Sequence, residues 1–549
     1  MARLTYDAKA LKETYLNPKS LNTFIFNPNL SMLDEGYRKA LPKLLEAIEI
    51  MDKLFLMQDH PQALRIKNAL LKEAERGSQD AKVALTVFEM FNGPEGLTKA
   101  NEVVPLFQNV RPRPAGGTVY TEGVTAKEID DYLQKHPEKA AEFNKINTAI
   151  RRKGKGFVAV PYEVIYAGLL AQAADLLRSA ASDVPGEGFA RYLRSRADAL
   201  VQGDYFRSDI DFVKATDSPI DLLIGPLEDY HDMVQSKKSF YAGLLCINNP
   251  EESVRVSEYI KHLQSLENML PQGARYVKDM SRINIPVAVV DVIAMAGEFQ
   301  AKRPNLIVGE TLPNDPRVLS EVGRKIFIYK NVISGFATNQ ERLDRLIDPK
   351  LHQYITNRGR VNFVVGHEVS HSLGPKLTDI VQDGTKVSVS DALGFYAGII
   401  EELKADLLSA YNLPYLVSNG IYSETEAKEI YAEGCLSRNL PLNKPDQGKD
   451  THYVGTLMKL NYFIADGTVC LKDGKFSLDF AKAAKTTKKM VEEVIAIQSE
   501  GNREKARAFI EKWSAWTPEA EYAATVAQQC SPKFYKTVIQ PSVHDLLRQ

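Results

Sequence analysis

The stretch His367-Glu368-Val369-Ser370-His371 constrains this chain more than any other. On an α-helix, positions i and i+4 share a face, so both imidazoles reach one metal ion. Glu368 sits about 100° round the helix from His367, close enough to hold a water on that ion. Apolar residues precede the motif at helical spacing in VNFVVGHEVSHSLGP, and Gly374-Pro375 supplies a stop just beyond it. His371 is therefore expected in the last turn of its helix. With 9 histidines in 549 residues, the pattern arises by chance in about one such chain in a hundred. A helix with two surface histidines stands as the alternative.

A second segment carries Glu401-Glu402-Leu403-Lys404-Ala405-Asp406. It lies in SVSDALGFYAGIIEELKADLLSAYNLP, which opens on a Ser388-x-x-Asp391 cap and is expected to run as one helix to just before Pro414. Glu402 and Asp406 share a face, with Glu401 on its flank. Small residues at 392, 394, 397, 398 and 405 would let another helix approach closely. Glu402 is thus the candidate third metal ligand, and Asp406 a partner for the second nitrogen of a ligand imidazole. Adjacent glutamates on a helix are otherwise a solvated face. Two histidines, a glutamate and one open position make a catalytic zinc geometry. Zinc lowers the pKa of its water from 15.7 to about 7, and Glu368 would carry the proton from that water to a leaving amine.

Composition narrows the rest. The chain is 44% hydrophobic and 25% charged with a formal net charge of -1, ordinary for a soluble chain of several domains. Neutral charge gives no support for nucleic-acid binding, and Arg151-Arg152-Lys153-Gly154-Lys155 reads as a solvated surface. The start, MARLTYDAKALKETY, has charges where a signal peptide needs an apolar core, and no uncharged apolar run is long enough to span a membrane. A cytoplasmic location is expected. Cys246, Cys435, Cys470 and Cys530 lie far apart without C-x-x-C spacing, so they are expected as reduced, buried thiols and offer no zinc site.

Helical spacing covers Gly36–Phe55, Pro61–Met90, Ala126–Phe143 and Pro161–Ala181, with a turn-rich break at Arg111–Gly117. After Thr216 the pattern changes. Ile220–Gly225, Phe240–Ile247, Ile285–Ile293, Leu306–Val308 and Lys325–Tyr329 are short apolar or β-branched runs bounded by turn residues, and read as strands. Pro250–Leu270 is helical between them, and helices return from Pro349. The order suggests an α+β protein of two lobes, with the chain crossing between them. The family resemblance set out next implies that residues 1–248 and 284–335 fall in a lower lobe, 249–283 in a helical excursion to an upper lobe, and 336–549 in that upper, helical lobe.

HEVSH followed by EELKAD resembles the dipeptidyl peptidase III family of zinc peptidases, which pairs H-E-x-x-(x)-H with E-E-x-x-A-D/E. Many members carry an extra residue between the histidines; this chain has the five-residue form of some bacterial members. The resemblance implies one Zn2+ per chain on His367, His371 and Glu402, with Glu401 and Asp406 each steadying one imidazole. It also implies a wide cleft between a helical zinc-bearing lobe and a lobe with a five-stranded β-barrel plus helices. Other segments resemble the family as well. In IGPLEDY, Glu228 would receive a peptide's free α-amine and Tyr230 would bond near the scissile carbonyl. In LPND, Asn314 would contact the same N-terminal end, and in THY, His452 would steady the transition state. Read alone, these are a polar turn, a turn and a structural histidine. Where eukaryotic members have Arg, four residues beyond the histidine, this chain has Thr456.

Similar segments form the C-terminal part of some plant Nudix fusions, but this chain has no Nudix box. The function so implied is release of dipeptides from the free N-terminus of oligopeptides, with no nucleic-acid or membrane partner and no oligomeric state defined. A hydrolase of the same chemistry with another exopeptidase, amide or ester specificity is one alternative. A non-catalytic peptide-binding protein is another. His231, after Tyr230, is a candidate to line the cleft; His60, His136, His262, His352 and His544 have no partner spacing, and Trp513 and Trp516 read as packing residues.

Overall fold

Residues 4–99, 102–273, 276–280, 286–301, 306–336, 339–382, 384–444, 451–530 and 535–547 are described by the computed structural model. The fold is mixed α+β, and the chain divides into two units. The first comprises Met1–Asn249, Val290–Gly335 and Lys533–Gln549; the second comprises Pro250–Val289 and Phe336–Pro532. The last segment of the chain thus groups with the first unit, and 336–549 is not one continuous body.

In the first unit, helix α1 (Glu35–Asp59) is started by Asp34, whose side chain accepts from the Tyr37 amide. One side of α1 packs on α2 (Ala167–Ala181), which packs in turn on α3 (Glu187–Gln202). Another side of α1 lies on a five-stranded sheet of β1 (Ile220–Glu228), β2 (Phe240–Asn248), β3 (Val287–Gly297), β4 (Gly309–Leu312) and β5 (Lys325–Tyr329). Contact is close where Gly243 of β2 meets α1: a β-carbon there would lie 2.5 Å from that of Ile48. The strand order is β1-β2-β3-β5-β4, with β1 against β2, β2 against β3 and β5 against β4 all antiparallel. Among the described residues this is an open sheet with β1 and β4 at its edges, rather than a closed five-stranded barrel. Strands β1 and β2 are apolar on both faces because both are covered. Leu21–Ile25 pairs in parallel with Tyr535–Ile539, in register from Leu21↔Tyr535 to Ile25↔Ile539.

Several strand limits differ from the sequence reading. Lys325–Tyr329 is a strand over its expected length. Leu306–Val308 is not; the strand there is β4, which begins at Gly309 and draws its apolar face from Leu312. Ile285, expected to open the third strand, lies outside the described residues. Arg151–Lys155 forms the tip of a hairpin joining Thr148–Lys153 to Gly156–Pro161. Cys246, Cys435 and Cys530 are buried free thiols, whereas Cys470 is exposed.

In the second unit, α4 (Pro250–Lys261) and α5 (Leu263–Asn268) precede the metal-motif helix α6 (Asn357–Ser370). Its acidic neighbour is α7 (Ala397–Tyr411), followed by α8 (Glu424–Cys435), α9 (Thr451–Ala465) and α10 (Phe480–Glu500). Helix α7 is buried from Leu403 to Ala410 and packs against α6, α8, α9 and α10. A helix buried all round at the centre of a bundle has no wet face on which to place its charges. Its Glu401, Glu402, Lys404 and Asp406 therefore need partners inside the protein.

Candidate metal centre

Helix α6 starts at Thr356, whose hydroxyl accepts from the Gly359 amide. It contains Val361, Val364, Val365 and Val369, residues with modest helix propensity, so burial rather than propensity holds it. It ends at Ser370, with His371 as its C-cap, and Gly374 turns the chain away at φ +82°. The long acidic helix expected from Ser388 is interrupted. Ser388 caps only Val389–Leu393, Gly394 breaks the chain at φ +56°, and α7 starts at Ala397. Pro414 does not end that helix region but sits in the first turn of the next helix, Leu413–Ser418, where a missing N–H costs nothing.

α6 and α7 approach closely at Gly366 and Ser409. A β-carbon on Gly366 would lie 2.4 Å from Ser409 Oγ, and that hydroxyl donates to Phe363 O at 3.0 Å. The close approach uses a glycine on α6, next to His367, rather than the small residues foreseen on α7.

With the helices that close, His367 Nδ1 meets Asp406 Oδ1 at 2.8 Å and His371 Nδ1 meets Glu401 Oε1 at 3.2 Å. A carboxylate only accepts, so each ring carries a proton on Nδ1 and turns its Nε2 the other way. Those two nitrogens face each other at 3.2 Å, and Glu402 Oε2 lies 3.3 Å from His367 Nε2 and 3.6 Å from His371 Nε2. Glu402 Oε2 is buried without a hydrogen-bond partner. With both Nε2 atoms deprotonated, these three atoms offer electron pairs to a common place, an arrangement suited to a cation. A tetrahedral ion with bonds of about 2.0–2.1 Å to such ligands separates them by about 3.3–3.4 Å. His367, His371 and Glu402 fit a divalent metal of that kind.

The surplus negative charge also governs protonation. Burial alone would pull the His367 imidazolium down, but hydrogen bonds to Asp406 and Glu402 outweigh it and raise it to about 10. Burial pushes the Asp406 carboxyl up, and Lys459, Arg438 and His367 overcome this and hold it well below the ordinary carboxylate range. Glu401 is likewise held low, against burial, by Lys404, His371 and Lys376.

Glu368 lies half-buried on α6, and its carboxylate has no hydrogen-bond partner or ion pair among the described residues. His452, half-exposed at the start of α9, places Nδ1 3.3 Å from Glu402 Oε2, with its ring 5.8 Å from that of His367. Burial lowers its imidazolium below the ordinary value. One turn on, the Thr456 hydroxyl is bonded to Tyr453 O at 2.8 Å.

In the first unit, Glu228 ends β1, and Asn314 Nδ2 donates to Glu228 Oε1 at 2.9 Å. Tyr230 is exposed in the loop that follows. His231, a candidate to line a cleft, is buried: its Nδ1 and amide both meet Glu298 Oε1, at 2.9 and 3.0 Å, and its ring packs edge-on against Phe55. Asn314 also borders a cavity of ≈ 580 Å³ lined by Arg196, Tyr205, Leu227 and Pro313 among others. Sequence reasoning missed Lys404, Lys459 and Gly366, all of which touch the histidine-bearing helix or the carboxylates that hold it. The first two read only as the spacer in EELKAD and a polar position in α9.

No protein-family model matches the chain. It is 26% identical over 371 residues to Nudix hydrolase 3 of Arabidopsis thaliana, covering 65% of this chain but 46% of that protein's length. The chain thus spans about half the length of this curated relative. The structure of dipeptidyl-peptidase III from Corallococcus sp. strain EGB shares the fold at a TM-score of 0.80 and 24% identity, over 99% of both chains. The structure of DPP III from Caldithrix abyssi is 26% identical and superposes at a TM-score of 0.86, over 96% of this chain and 99% of that one. Agreement in fold along nearly the full length of both chains, with 26% identity to the Caldithrix protein, supports the dipeptidyl peptidase III family for this chain.

Proposed function

We propose that the protein is a zinc-dependent exopeptidase that releases dipeptides from the N-terminus of oligopeptides. The observation that carries the reading is the convergence of His367 Nε2, His371 Nε2 and Glu402 Oε2, with Glu368 beside them on α6. A zinc ion held by these three residues supplies Lewis acidity, polarising a carbonyl and acidifying water beside it. Glu368 accepts the proton of the attacking water as the C–O bond forms and delivers it to the amine nitrogen as the C–N bond breaks. The partnerless carboxylate suits a group that must exchange protons. His452 steadies the transition state, and the family resemblance gives Tyr230 a hydrogen bond near the scissile carbonyl.

Glu228 supplies the fixed carboxylate for the peptide's α-ammonium, with Asn314 holding that carboxylate in place. Among the described residues, no helix is long and apolar enough to cross a membrane; a cytoplasmic location is part of the same proposal.

Thr456 favours a second reading. Its hydroxyl is spent on its own helix, so no cation stands one turn beyond His452 to anchor the downstream peptide. The same chemistry would then serve a different exopeptidase cut. A panel of free oligopeptides, aminoacyl amides and N-blocked peptides separates the two, with products identified by mass. Release of dipeptides from free peptides alone supports the first reading. Single-residue products support the second, and cleavage of N-blocked peptides removes the role given to Glu228.

A further inference from the structure

Two lysines in the second unit are almost wholly buried, with side chains only 1% exposed, and each is spent on one of the carboxylates that hold the histidines. Lys459 Nζ, reaching from α9, donates to Asp406 Oδ2 at 2.6 Å while Asp406 Oδ1 holds His367. Lys404 Nζ, one turn along α7 from Glu401, donates to Glu401 Oε1 at 2.9 Å, the oxygen that holds His371. It also donates to Leu373 O at 2.7 Å, on the backbone just past the second histidine.

We infer that Lys404 and Lys459 are positioning residues of the metal group, each locking the carboxylate that orients one histidine. This rests on the metal-dependent reading above. A carboxylate gripped at one oxygen swings about its terminal torsion, which is broad and soft. Asp406 is gripped at both, so Oδ1 stays where the His367 ring needs it. Glu401 is gripped by Lys404, by Lys376 at 3.2 Å and, through Oε2, by Gln498 at 3.0 Å.

Burying an ammonium is expensive and is tolerated only where it is well paired. Methionine or leucine would fill either place more cheaply. Using lysine there makes sense as a cost met for precision at the histidines. Lys404 has a second role that follows from the five-residue motif. His371 is the C-cap of α6, where backbone hydrogen bonding is running out, and three bonds from elsewhere in the unit fix the chain beyond it: Lys404 to Leu373 O, Lys278 to Ser372 O at 2.5 Å, and the Gly374 amide to Glu267 Oε2 at 2.9 Å.

The test uses Zn2+ itself, titrated into metal-stripped full-length protein against a competing chelator. Lys459→Met and Lys404→Met are expected to weaken zinc affinity by about tenfold to a hundredfold, the range for outer partners of metal ligands, while Lys404→Arg restores most of the loss. If Lys459→Met alone does not fold, comparing Asp406→Asn with Asp406→Asn/Lys459→Met keeps the test open, because the asparagine removes the charge that Lys459 balances. Asp406→Asn alone should lose affinity, and adding Lys459→Met should cost less than tenfold more, since the lysine acts through that carboxylate. Wild-type affinity in folded Met variants, or a further loss of tenfold or more when Lys459→Met is added to Asp406→Asn, overturns the inference. A wild-type protein that takes up no stoichiometric zinc overturns the metal reading instead, so the two failures are distinguishable.

Discussion

Gly366 and Ser409 face each other so closely that α6 and α7 would have to part to admit a single methyl group between them. The glycine is adjacent to His367, and the serine is three residues beyond Asp406. The spacing of the histidines from their carboxylates is therefore set by backbone approach, not by side-chain reach alone.

Gly366→Ala is expected to cost about 1–3 kcal/mol of stability through overpacking and to weaken zinc retention, because the helices separate at the level of the first histidine. Thermal unfolding and metal content after dialysis check both. An alanine variant with wild-type stability and full metal would remove this account of the spacing.

Glu368→Gln keeps the shape of the side chain but cannot accept a proton. The variant should bind zinc as the wild type does and lose roughly 10²–10⁴-fold in kcat, the usual contribution of a positioned base. Paired metal analysis and peptide hydrolysis measure this. Loss of metal together with activity would make Glu368 structural.

The response to pH should differ with and without metal. In the metal-free protein His367 is raised to about 10 from an ordinary 6.5. A raised folded-state value contributes stability that is fully present below about 6.5 and is lost as pH climbs through about 10. Stripped protein should accordingly lose thermal stability across that window. Metal binding displaces the proton, so apparent zinc affinity should rise across the same window. Melting curves with chelator and with zinc at several pH values test both; a flat metal-free profile would count against the carboxylate control of His367.

Glu228→Gln removes the charge offered to a peptide's α-amine. A charge-assisted hydrogen bond contributes about 1.5–3 kcal/mol, so kcat/KM for free peptides should fall by roughly ten- to a hundredfold. Asn314→Ala should fall in the same direction by less, since it acts by steadying Glu228 Oε1. Equal losses on N-blocked peptides would show that Glu228 does not recognise the amine.

The parts of the site that obey helix periodicity were legible in the sequence. His367 and His371 share a face by spacing, and Glu402 with Asp406 follows the same rule on α7. Lys325–Tyr329 was likewise plain from its apolar run. What could not be read depends on neighbours distant in the chain. Nothing local marks Lys459 as buried, because its partner Asp406 is 53 positions away. Gly366 looks like a weak helix residue until Ser409 is placed against it. Pro414 was read as a stop, yet the first turn of a helix accepts proline as readily as the residues after one. His231 seemed suited to a cleft because it follows Tyr230, but the Glu298 carboxylate that draws it inward lies on a turn 67 positions on.

The parallel pairing of Leu21–Ile25 with Tyr535–Ile539 has a consequence for the order of assembly. One edge of the first unit waits for a strand that follows every segment of the second unit along the chain, and the whole of the second unit lies inside that interval. As the ribosome delivers the chain, the second unit can mature while its host is still unfinished, because the strand that completes that edge emerges after it.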